Sequence, residues 1–97
     1  MGSILVRRLH SLPLDELKGR IERIARDAEQ RHHVAWHWCA WTLEVLPPPG
    51  LAAGARGSVH LSDRDVRVEV HLPLTLRPVR RAVEARLVSG LEALLAA

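Results

Sequence analysis

The side chains best equipped for chemistry in this 97-residue sequence are six histidines and one cysteine. His37 and Cys39 stand at i and i+2, which on a strand puts them on one face. His60 and His71 fall on the solvent side of a second predicted hairpin. Three such ligands on neighbouring strands could hold a zinc ion, but the local spacing matches no closed zinc motif. His32 and His33 sit at a predicted helix end, where they suit the negative pole of the helix dipole. Nucleophilic catalysis by Cys39 would need a base within about 3 Å and a third, orienting group, and no residue pattern marks that set out. Asp63 and Asp65 flank Arg64 in a turn, where aspartate is favoured for backbone reasons. Gly50, Gly54 and Gly57 precede no helix start, so they form no phosphate loop. The residues are therefore read as surface groups, with no catalytic residue, no metal site and no cofactor.

Three tryptophans lie within residues 36–41, and the chain has no Phe or Tyr. Trp36 and Trp38 share a strand face with Val34, which points to core packing with on the order of 200 Å² buried per ring. Trp41 follows a tight turn. The sequence reading leaves it either exposed beside a proline-rich loop or packed on a helix.

These residues must be positioned by strands. Val66 to Leu72 alternates strictly, with Val66, Val68, Val70 and Leu72 on one side and Arg67, Glu69 and His71 on the other. That pattern marks a half-buried strand. Ser58 to Leu61 alternates too, and Ser62-Asp63-Arg64-Asp65 is the turn between them. One dry and one wet face imply an antiparallel sheet covered on one side only. Ile4 to Leu9, Val34 to Trp38 and Thr42 to Leu46 are the other strands, the last stopped by Pro47 and Pro48. In the first of these either Ile4/Val6 or Leu5/Leu9 qualifies as the inward face.

Two helices supply the cover. The first is capped at Ser11 and runs to about Arg31, with Leu14, Leu17, Ile21, Ile24, Ala25 and Ala28 as its apolar stripe. Glu16–Arg20, Glu22–Arg26 and Asp27–Arg31 are acid-before-base pairs on its wet side. The second is capped at Thr75, with Pro78 in its first turn and a stripe of Leu76, Val79, Val83, Leu87, Leu91 and Leu94. Gly90, at the stripe's centre, suggests a close approach of helix to sheet. Val88 and Leu95 fall roughly 120° away at 100° per residue and make a second apolar edge. The order β-α-β-β-β-β-α predicts an α+β fold: an antiparallel sheet of about five strands with two helices packed on one face. The last four strands should form a meander, with the first strand beside Val66–Leu72.

Size and composition fit one domain, residues 1–97, with a single modest core. The formal charge is +3, and the pI of about 10.4 reflects thirteen Arg against one Lys. Arg7, Arg8, Arg56, Arg67, Arg77, Arg80 and Arg81 could cluster toward nucleic acid, but Asp63, Asp65 and Glu69 dilute them. A single cysteine excludes a disulfide framework. No apolar run approaches 18 residues and no signal-peptide pattern follows Met1, so a cytoplasmic protein without a membrane span is expected.

The segment His10-Ser11-Leu12, an acidic-led helix and Trp38 at the end of the second strand come first. Ala55-Arg56-Gly57-Ser58-Val59-His60-Leu61 and the Val66–Pro73 alternation then follow. Together they resemble the small bacterial polyhydroxyalkanoic acid system proteins, over nearly the whole chain. The turn after the second strand is commonly Gly-Asp-like in that family and is Cys39-Ala40-Trp41 here. The resemblance implies association with polyester storage granules or their regulation, and brings no catalytic residues with it. The function expected is that of a non-enzymatic accessory protein. Its partner would be a granule, a granule-associated protein or a second copy, met through apolar contacts at Trp41, Val88, Leu95 and Pro48. An alternative is a small hydrophobic-ligand site between sheet and helix, lined by Trp36, Trp38, Val68 and Val70. Nucleic-acid binding is the least favoured alternative.

Overall fold

A computed structural model describes residues 3–47 and 54–96. The chain runs β1 (Ser3–Leu9), α1 (Leu14–His32), β2 (Ala35–Cys39), β3 (Thr42–Leu46), β4 (Arg56–Leu61), β5 (Asp65–His71) and, after a 3-10 turn over Leu74–Val79, α2 (Arg80–Leu95). The strands form one antiparallel sheet in the order β1-β5-β4-β3-β2. This is the expected α+β order, with β2 to β5 a meander and β1 beside β5. Pro48 lies outside the described residues, as does most of the proline- and glycine-rich stretch.

Register explains the dry face. Ile4 pairs with Val70, Val70 with Gly57, Gly57 with Val45 and Val45 with Trp36. The next such row is Val6, Val68, Val59, Leu43 and Trp38. Ile4, Val6, Leu43, Val66 and Val68 are buried. The inward face of β1 is thus Ile4/Val6, because only that register places branched apolar residues opposite Val70 and Val68. Leu5 and Leu9 stand 61% and 70% exposed on the other face.

Leu17, Ile21 and Ala25 bury the stripe of α1, and Leu91 is the one buried residue of α2. Ion pairs Arg20–Glu16, Arg26–Glu22 and Arg31–Asp27 decorate the outer side of α1. Both helix starts differ from the sequence expectation. Pro13, not Ser11, occupies the N-cap of α1, and no side chain caps it. Proline disfavours the helical region for the residue before it, so Leu12 cannot join the helix. Thr75 likewise caps nothing: it sits in the 3-10 turn with Pro78, and Val79 is the N-cap of α2. Pro78 lies inside that turn and has no N–H to close an α-type bond to the Leu74 carbonyl, which leaves the turn 3-10 and delays the regular helix to Arg80.

Two turns set the hairpins. Between β2 and β3, Cys39 pairs with Thr42 across Ala40-Trp41, and Ala40 takes φ 54°. Between β4 and β5, the Ser62 hydroxyl accepts the N–H groups of Arg64 and Asp65 at 3.3 and 3.0 Å. That hydroxyl also donates to the Asp65 carboxylate, which accepts from the Arg7 guanidinium as well.

Candidate binding cleft

The two helices do not close over the whole sheet. Between them lies a hollow of about 330 Å³ walled by Ile21, Ile24, Ala25 and Ala28 of α1 and by Leu87, Gly90, Leu91 and Leu94 of α2. Its floor is Val34, Leu43, Val45, Val59 and Val68, and Arg86 stands at its margin. A second hollow of about 290 Å³ shares Val34, Val45, Val59, Val68 and Leu87 and continues to Pro47, Ala55 and Val70. The pair makes one elongated cleft, mostly aliphatic, with Arg56 and Ser58 also lining its second part.

Small residues keep it open. Ala25 and Ala28 on one wall face a lining that includes Gly90 on the other. Gly90 does not mark a close helix–sheet approach: nothing lies within 4 Å of where its Cβ would stand. The stripe pattern locates Gly90 on the inward side of α2 but carries no information on how far α2 sits from the sheet. Arg20 of α1 meanwhile donates to the carbonyls of Leu94 and Ala96, at 2.7 and 2.9 Å, so the helices are tied at the C-terminal end of α2. Ile24, on the cleft wall, is 54% exposed.

The structure brings only part of the expected lining to this place. Val68 and Val70 contribute; Trp36 and Trp38 do not line either hollow. Both indoles pack under α1 instead. Trp36 Nε1 donates to Glu29 Oε1 at 2.8 Å, while Trp38 Nε1 is buried without a partner among the described residues. The Lys18 ammonium lies 4.9 Å from the Trp38 ring centroid and 5.4 Å from that of Trp41, within cation–π range of both. Trp41 is 40% exposed. Trp41 and Pro47 stand at opposite ends of β3, and the rest of the proline-rich stretch lies outside the described residues. Val88 and Leu95 are half-buried and pack against the core; Val88 also lines a shallow outer depression with Arg81, Glu84 and Glu92.

Polar groups share the open face of the sheet with the exposed Leu5 and Leu9. His37 lies 3.4 Å from Glu44, its cross-strand partner, and His60 is held between Thr42 (3.0 Å) and Ser58 (3.3 Å). Cys39 is exposed and free. His37 and Cys39 on β2 are separated from His60 on β4 by all of β3, roughly 9.5 Å at the usual strand spacing. His71 is one strand further away, on β5. Among the described residues no three His, Cys, Asp or Glu side chains gather as a metal site. The arginines are likewise divided: Arg7 binds Asp65 and faces Arg67 across β1 and β5, Arg56 lies opposite His71, and Arg80 donates to the carbonyl of Ser3.

A one-sided sheet, two helices tied at one end and an aliphatic cleft between them define a small α+β module whose distinctive surface is apolar. The chain belongs to the family described as "putative polyhydroxyalkanoic acid system protein" (PHA_gran_rgn), whose model matches residues 4–95. That description names a granule-region protein and no enzymatic activity. Neither the curated proteins nor the solved structures contain a match. Among the described residues no helix is long and apolar enough to cross a membrane.

The sequence offered a site between sheet and helix, but its position between α1 and α2 was not read there. Its signal was present: Ala25, Ala28 and Gly90 are small residues on apolar stripes, where larger ones would seal a helix–sheet contact.

Proposed function

We propose that this chain is a non-enzymatic accessory protein of the polyester storage-granule system that works in the cytoplasm and meets the granule through apolar contacts. The observation that carries this reading is the uncovered aliphatic cleft between α1 and α2, with Ile24 half out of it. A protein that needed only its own core would gain by closing that cleft, since each aliphatic side chain withdrawn from water contributes on the order of 1.5–3 kcal/mol. An apolar polymer phase supplies the missing cover. Trp41, exposed at the β2–β3 turn, adds a second contact of the kind that favours an interface between apolar and aqueous phases. Family membership supports the granule as that apolar phase.

Co-sedimentation with isolated polymer granules tests this. The wild-type chain should pellet with them, and Ile24→Glu, at an exposed position, should fold but stay in the supernatant. A wild-type chain that remains in the supernatant with a control protein would refute the reading.

The aliphatic lining favours a second use of the same cleft, as a site for a small apolar ligand. Val68 and Val70 on its floor support that reading.

A further inference from the structure

The geometry points to a linear aliphatic carboxylate as the molecule the cleft receives, its tail between the helices and its head at Arg86. This deepens the small-ligand reading above and rests on it. Three observations agree. The hollow is elongated: Ile21 to Ala28 alone spans about 10 Å at 1.5 Å per residue, and the cleft then continues to Pro47, Ala55 and Arg56. That shape suits an extended chain. Apart from Arg86, the lining between the helices is aliphatic or small, so polar groups along a ligand would be desolvated without partners. Arg86 is also the one charged side chain lining that part of the cleft, and it makes no ion pair among the described residues. Its planar fork matches a carboxylate. Arg86 precedes Leu87, which lines both hollows, so the charge stands at the side of the apolar slot near where the two hollows meet.

Calorimetric titration of the full chain with octanoate, decanoate and decanol, below their aggregation limits, tests the inference. Decanoate should bind one-to-one, and each added methylene should tighten binding about threefold to fourfold. Arg86→Glu should weaken decanoate about tenfold or more and leave decanol nearly unchanged, because only the carboxylate meets the altered charge. Gly90→Leu should abolish binding of both, and Ala28→Leu should do the same from the opposite wall should the first variant fold poorly. Three results would overturn the inference: no binding by the wild type, undiminished binding by both filled variants, or equal loss of decanoate and decanol in Arg86→Glu. Vesicles of anionic phospholipid form the contrasting arm, and retention on them without decanoate binding also counts against it. Granule sedimentation run on the same preparations keeps the two readings apart: a chain that pellets yet ignores decanoate loses this inference alone.

Discussion

The guanidinium of Arg20, on α1, donates to the backbone carbonyl of Leu94 at 2.7 Å, seventy-four residues along the chain and in the last turn of α2. The same nitrogen reaches the Ala96 carbonyl at 2.9 Å. Carbonyls in a helix's last turn lack intrahelical partners and carry the negative end of its dipole. No side chain of α2 itself fills this role, since its last turn contains no basic residue. Arg20 does so from the neighbouring helix and fixes one end of the cleft in the process.

Replacing Arg20 with Met should therefore cost about 1–2 kcal/mol, the range for charge-assisted hydrogen bonds less a discount for partial exposure. The loss should be local in its first effects. Hydrogen exchange of the last-turn amides of α2 should accelerate while those in the middle of α1 hold their protection.

Gly90→Ala should stabilise the fold by about 0.5–1 kcal/mol, because alanine is the better helix former and open space awaits the added methyl. A rise in the denaturant midpoint with an unchanged slope would be the expected readout. Destabilisation would mean that the sheet approaches α2 more closely than described.

Ala40→Gly should also stabilise, by about 0.5–1 kcal/mol. Ala40 holds φ 54° in the β2–β3 turn, a left-handed conformation that costs a residue with a Cβ roughly 1–2 kcal/mol. Glycine removes that strain and returns part of the gain through its freer unfolded chain. Thermal unfolding of the two proteins in parallel decides the sign.

Asp65 ties stability to acid. The Ser62 hydroxyl and then the Arg7 guanidinium hold its carboxyl below the ordinary value of 3.8. A carboxyl lowered on folding contributes stability that is fully present above the unfolded value and is lost as pH falls through the folded one. Urea midpoints taken from pH 6 downward should show this loss only below about pH 4. Asp65→Asn should be less stable at pH 6 and should lose less than the wild type across the acid range.

Strand positions were legible in the sequence because a two-residue period is local: Val66, Val68 and Val70 declare their face without help from any other segment. Thr42–Leu46 matched to the residue. The inward face of β1 was not legible, since Ile4/Val6 and Leu5/Leu9 are equally apolar and only pairing with β5 separates them. Helix starts failed at the prolines: Pro13 acted through Leu12 before it, and Pro78 lacks the N–H that an α-turn over Leu74–Val79 would need. The apolar stripes of both helices were visible, yet a stripe gives direction and not distance. Hence Gly90 was read as a contact when it lines a gap. Trp36 and Trp38 pack against the core, as the face they share with Val34 implied; in the alternative reading they lined a pocket, and Glu29 and Lys18 of α1 hold them away from the cleft.

The partnership of β1 with β5 also dictates when this molecule can become itself during synthesis. Ser3 meets His71 and Leu9 meets Asp65, so the first strand waits for the fifth before it finds a neighbour. Until the ribosome has delivered that strand, Ile4 and Val6 have no row to join, and α1 has only an unfinished meander to cover. Joining these two strands closes the longest loop in the sheet, and the entropic cost of closure grows with that loop. A chain released before Asp65 would carry its own opening strand as an unpaired edge, ready to add to any other edge it meets.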